Sequence, residues 1–297
     1  MYLNTIDVKL TPRIGIDSYN LEVNSSTLEI LALILEFKLA SACHITRFLT
    51  GKDQSRYMYK KLRRMWQAGL LESFKVFSGS IAGYSVFYML SKKGLALLQK
   101  HGLCEFSRLK NYPEAKVLLS WGLFKHEAQI VELASLESQN KSENFSLSFQ
   151  GEASSLSLDF KNNKSIEGLT PDYTVVYKSA QAEQKVYTEF ERTRKSNIAL
   201  LNKIQRYLDF LSADELQKIM LRLVFQTVGM EQSFWLNIFT NRPTLLRLNI
   251  VTTHLDLISG RQEFISPIYA SESTAKLTKL GQLRVDLSQR IKLLPFI

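Results

Sequence analysis

Apolar residues crowd positions 27–40, where Leu28, Ile30, Leu31, Leu33, Ile34, Leu35 and Phe37 predict a helix with little polar surface. A shorter helix is expected over 42–49, with Ser41 placed to cap it. Thr50-Gly51-Lys52-Asp53 reads as a turn, with Asp53 as cap for a third helix over 54–68. Tyr57, Leu62, Met65 and Trp66 supply the inner face of that helix, and Gly69 ends it. Two strand-like runs follow, 70–77 and 84–90, around a loop holding Ser78, Gly79, Ser80 and Gly83. Ser91 caps a last helix over 92–101.

Three helices followed by a hairpin is the order of a winged helix-turn-helix, which sets a first domain at 25–105. Residues 106–122 read as a connector containing Pro113. The second domain, 123–270, opens with a helix over 124–139 and continues with a strand over 144–150 and a polar loop over 151–168. Strands are expected at 171–178 and 185–192, then an amphipathic helix over 196–211 with Leu201, Ile204, Leu208 and Leu211 on its buried stripe. Apolar strands at 220–228 and 245–253 flank a helix over 231–239. The order α-β-β-β-α-β-α-β belongs to a layered α/β domain. The tail, 271–297, is expected to be helical in part.

The net charge of +10 and the pI near 9.4 favour an anionic partner, nucleic acid or an anionic membrane face. Insertion into a membrane is not expected, because no run approaches about 18 apolar residues without charge. The first ten residues, with Asp7 and Lys9, lack an apolar signal segment. Cys43 and Cys104 form no CxxC pattern, which argues against a disulfide framework or thiolate zinc site and suits a reducing cytoplasm.

The third helix carries Arg56, Lys60, Lys61, Arg63 and Arg64, with Lys52 just ahead, and so suits a helix that enters the major groove of double-stranded DNA. The competing reading is a solvated basic face with no partner. Glu189-Phe190-Glu191 follows Pro171-Asp172 on the next strand, and strand alternation puts Glu189 and Glu191 on one face with Tyr187. Three carboxylates so placed repel unless a cation or proton sits among them. Carboxylate oxygens suit hard ions, so Asp172, Glu189 and Glu191 are candidate ligands for Mg²⁺ or Mn²⁺, an ion that serves phosphodiester cleavage. Lys203 and Tyr207, four apart on the following helix, share a face. Lys203 is a candidate for charge stabilisation on a phosphate, and Tyr207 for phosphate positioning or nucleophilic attack. Glu127, beside His126 at the head of its helix, shares a stripe with Val131 and Ala134 and is a candidate to hold a metal-bound water. The bland alternatives are edge carboxylates paired with Lys185, Arg192, Arg194 and Lys195, a snorkelling Lys203, a half-buried Tyr207 and a dipole-favoured Glu127. No Walker A, GxGxxG or HExxH pattern occurs.

Pro171-Asp172, Glu189-Phe190-Glu191 and Lys203 make the second domain resemble the PD-(D/E)XK nuclease superfamily. The chain departs from that pattern in carrying Glu191 where a lysine is usual, and the resemblance implies that Lys203 takes that role from the next helix. The whole layout resembles the replication-relaxation family and MobC-type mobilisation relaxases, through His126-Glu127, Pro171-Asp172, Glu189-Phe190-Glu191-Arg192-Thr193 and Lys203-x-x-x-Tyr207. That resemblance implies recognition of an origin of transfer and nicking of one strand, with an auxiliary mobilisation protein and a coupling ATPase as partners. The alternative is a non-catalytic DNA-binding replication or transcription regulator that retains the nuclease-like fold as scaffold.

Overall fold

Asn24 starts the first long helix by accepting the Thr27 amide on its side chain at 3.0 Å, a cap that satisfies one of the donors a helix start leaves open. The computed structural model describes residues 6–12, 21–78, 84–104, 112–119, 121–140, 145–152, 169–180, 182–192, 197–211, 218–259, 270–271, 275–280 and 282–286. The expected hairpin loop at 79–83, most of the polar loop at 153–168, Thr193, Arg194, Lys195 and the tail end at 287–297 lie outside the described residues. The chain is mixed α/β and divides into two units, Met1–Gln139 and Asn140–Ile297. No helix among the described residues is long and apolar enough to cross a membrane.

The first unit runs β1 (Ile6–Leu10), α1 (Ser25–Phe37), β2 (Ala40–Ser41), α2 (Ala42–Thr50), α3 (Arg56–Gln67), β3 (Leu71–Ser78), β4 (Tyr84–Leu90), α4 (Lys92–Lys100), α5 (Ala115–Leu118) and α6 (Trp121–Glu137). Its four-stranded sheet has the order β1-β3-β4-β2 and is antiparallel throughout. Ser41 and His44 form a reciprocal capping box at the head of α2. Because His44 Nδ1 accepts the Ser41 amide, its Nε2 is the donor that reaches Glu132 of α6 at 2.6 Å. Arg47 donates to the same carboxylate at 2.9 Å, and Phe124 of α6 packs edge-on against Phe74 and Phe87. These contacts put α6 in the first unit, whereas its sequence pattern suggested the head of the second. Tyr112 of the expected connector is likewise pinned. Tyr112 donates its hydroxyl to the Lys38 carbonyl at 2.6 Å and accepts the Leu90 amide at 3.0 Å.

The second unit is built on a six-stranded sheet of order β10-β9-β8-β7-β6-β5. Strands β5 (Phe145–Gly151), β6 (Tyr173–Ser179) and β7 (Glu183–Glu191) form an antiparallel meander. Strands β7, β8 (Ile219–Phe225) and β9 (Asn249–His254) run parallel, and the short β10 (Ala270–Ser271) pairs antiparallel to β9. Crossover helices α7 (Asn197–Phe210) and α8 (Val228–Asn241) link the parallel strands, as parallel pairing requires. Tyr187, Ile204, Leu223, Phe225, Phe234 and Trp235 belong to the core these helices share with the sheet. A further short helix, α9 (Leu255–Ser259), follows β9. Within the tail, where partial helix was expected, β11 (Lys276–Leu280) and β12 (Gln282–Asp286) pair as a hairpin.

Candidate functional site

The β6–β7 ladder ends at the Tyr173–Thr188 pair. Just beyond it, Asp172 continues the pairing with its side chain, accepting the Phe190 amide on Oδ2 at 2.6 Å. Alternation then turns Glu189 to the same face as Tyr187, toward α7, where it is 4% exposed. Lys203 and Tyr207, one helical turn apart on α7, each take one oxygen of this carboxylate. Lys203 Nζ donates to Oε2 at 2.6 Å and the Tyr207 hydroxyl to Oε1 at 2.7 Å. Lys203 also donates to the Thr170 carbonyl at 3.1 Å. Tyr207 stacks at a tilt on Tyr187, centroids 5.8 Å apart. Asp172, Glu189, Lys203 and Tyr207 are thus brought to one end of β7, with Glu191 acting on the same ammonium.

The electrostatics follow from burial and proximity. Burial pushes the Glu189 carboxyl up to about 7; the Lys203 ammonium pulls against this, and the Asp172 charge adds to it. Burial opposes the charge of Lys203, but Glu189, Asp172 and Glu191 together outweigh it and raise its pKa. Lys203 therefore keeps its proton, while Glu189 sits close to titration at neutral pH. Burial and the Glu189 charge push the Tyr207 phenol well up. Its hydroxyl is committed to Glu189 and the residue is 1% exposed, so it serves as a buried donor to the carboxylate in this arrangement.

In this arrangement the protein's own donors engage these carboxylates. Both Glu189 oxygens receive protein donors, Asp172 Oδ2 receives a backbone amide, and the Lys203 ammonium sits against Glu189. Among the described residues no group of three acids, histidines or cysteines is placed to hold a metal. Glu127 belongs to α6 in the first unit, where it is buried and accepts from Lys38 Nζ at 2.7 Å.

Helix α3 is capped by Ser55, which accepts the Met58 amide at 3.2 Å. Asp53, expected as the cap, instead accepts from Arg47 at 2.7 Å. Lys52, Arg56, Lys60, Arg63 and Arg64 are exposed. Lys61 is not among them, being 7% exposed and donating to Ser26 at 2.7 Å, which ties α3 to the start of α1. The buried stripe is Met58, Lys61, Leu62 and Met65, so Tyr57, expected inside, is 64% exposed, and Tyr59 is 51% exposed. The three-four spacing from Met58 is the signal that separates Tyr57 from the inner face. Thr170 escapes sequence reasoning because a backbone acceptor has no signature in sequence.

The family described as replication-relaxation matches residues 31–220, well over half of the chain. No curated protein and no solved structure matches it.

Proposed function

The chain belongs to the replication-relaxation family, and from that premise we propose that it is a plasmid or mobile-element mobilisation protein that binds an origin of transfer and nicks one DNA strand. In this reading the first unit is a winged helix whose α3 lies on duplex DNA. Lys52, Arg56, Lys60, Arg63 and Arg64 neutralise phosphates and read base edges. The second unit is a diverged PD-(D/E)XK nuclease-like domain, and an auxiliary mobilisation protein and a coupling ATPase act with it.

The observation that carries the reading is Lys203, which reaches Glu189 at 2.6 Å in the field of Asp172 and Glu191. The cation that such a site needs near the scissile phosphate comes from α7, since the strand itself offers Glu191. A fixed ammonium stabilises charge that grows on a phosphate during displacement. Asp172, Glu189 and Glu191 would hold the Mg²⁺ or Mn²⁺, which would supply a Lewis acid at the phosphoryl oxygen.

The second reading, a non-catalytic DNA-binding regulator, is favoured by the closure of both Glu189 oxygens. One assay separates the two. Supercoiled plasmids with and without a cognate transfer origin are incubated with the protein plus Mg²⁺, Mn²⁺ or EDTA. Nicked circles restricted to the origin plasmid, dependent on a divalent ion and abolished by Asp172→Ala, support the relaxase. Origin binding with no nicking under any condition supports the regulator.

A further inference from the structure

A second polar constellation lies buried in the same unit. Glu231, in the first turn of α8, is 0% exposed. Its Oε1 accepts the Thr252 hydroxyl at 2.6 Å, and Oε2 meets His254 Nδ1 at 2.7 Å. Thr252 in turn accepts the Trp235 indole N–H at 2.7 Å. The direction of this chain is fixed by chemistry. An indole only donates, so the Thr252 hydroxyl must point its own hydrogen at Glu231. The contact is satisfied when His254 Nδ1 donates its hydrogen to Oε2. In the neutral ring that leaves the lone pair on Nε2, the tautomer a proton acceptor needs.

The position of His254 gives this orientation a use. It is the last residue of β9, and Glu191 is the last of β7. Phe225 pairs with both, so Glu191, Phe225 and His254 form one row across the carboxyl ends of three parallel strands, all on one face. The like-facing row below it is Glu189, Leu223 and Thr252. The two polar networks therefore share one sheet end, about two strand spacings or roughly 10 Å apart, with Leu223 and Phe225 on the strand between them and His254 7% exposed. The crevice outside the carboxyl ends of parallel strands is where open α/β sheets take their ligands.

We propose that His254, oriented by Glu231 and the Thr252–Trp235 relay, is the general base of the nicking reaction, an inference that rests on the relaxase reading above. Nε2 takes a proton from the attacking water as its oxygen bonds to phosphorus. The bond from phosphorus to the leaving sugar oxygen breaks, and that alkoxide takes its proton from bulk water. The imidazolium then returns its proton to solvent.

The test is nicking of origin plasmid at saturating DNA by wild type, His254→Ala with and without added imidazole, and His254→Asn. General-base loss predicts a fall in kcat of about 100-fold or more with unchanged DNA affinity, and at least about tenfold recovery of His254→Ala in imidazole. His254→Asn keeps a donor for Glu231 and so guards against misfolding; it should melt like wild type and be as slow as His254→Ala. Wild-type kcat in either folded variant, or a loss that imidazole does not restore, overturns the role of His254 while leaving the relaxase reading intact. A wild-type protein that nicks no plasmid overturns both.

Discussion

Glu189 is a carboxylate held where burial and its neighbours disagree about its charge. Its folded value is raised from near 4.5 to about 7, so the folded chain holds this proton more tightly than the unfolded one. Across that window the unfolding free energy falls as pH rises, and the contribution is whole only at the acid end. One proton sets a limit of about 1.4 kcal/mol per pH unit. Glu189→Gln should therefore flatten the pH dependence of urea unfolding between about pH 4.5 and 7 relative to wild type; parallel curves would show that the carboxyl titrates normally. Lys203→Met tests the partner. At pH 8 it leaves a buried carboxylate without its cation and should cost about 3 kcal/mol. At pH 5 a proton on Glu189 substitutes for the ammonium, and the cost should shrink. Strand alternation made the shared face of Tyr187 and Glu189 legible in sequence, and helical spacing paired Lys203 with Tyr207. That both α7 side chains close on a single carboxylate was not legible, because it depends on how α7 crosses the sheet.

At the scale of elements, periodicity located the longer helices and the main strands of both units, since their apolar faces repeat at 3.6 or 2 positions, but it gave no sign of β1, α5, α9 or β10. It failed where packing decides. The membership of α6 turns on Glu132 meeting His44 and Arg47, residues 85 or more positions away in the chain. In the tail hairpin only Gln282–Asp286 alternates polar and apolar, over five residues, and its partner Lys276–Leu280 does not, so the pattern was too short to read. Two predictions belong here. Gly94 lies in α4 with an added Cβ inside contact distance of the Leu70 carbonyl. Gly94→Ala must move backbone and should lower stability by about 1–3 kcal/mol, seen as an earlier thermal unfolding of the first unit. On α3, chemistry and burial split the cations. Lys61→Ala should destabilise the unit, since it deprives Ser26 and Asn24 of their shared donor. Arg56→Ala, Lys60→Ala and Arg64→Ala should leave melting unchanged. Each should lower the slope of log affinity against log salt by about 0.9 for every phosphate it no longer neutralises. Equal salt slopes in these variants and wild type would move DNA recognition away from α3.

For the whole molecule, the division into two units predicts that affinity and chemistry separate. In the proposed reading the exposed cations of α3 would act on phosphates that are charged before, during and after cleavage, so their binding energy would be uniform along the reaction. Uniform binding lowers KM and leaves kcat alone. In the proposed relaxase the Asp172, Glu189 and Lys203 set would face charge that develops only at the transition state, so its loss would fall on kcat. The combined Arg56→Ala, Lys60→Ala, Arg64→Ala protein should thus nick origin plasmid at close to the wild-type rate once DNA is saturating, with KM raised by an order of magnitude or more. Asp172→Ala should do the reverse, with origin affinity retained and kcat reduced by at least about 100-fold. A double variant then shows both defects multiplied, as expected for sites that share no partner. If the α3 variant loses kcat at saturating DNA, the basic helix does more than hold the substrate, and the assignment of binding to one unit and chemistry to the other is wrong.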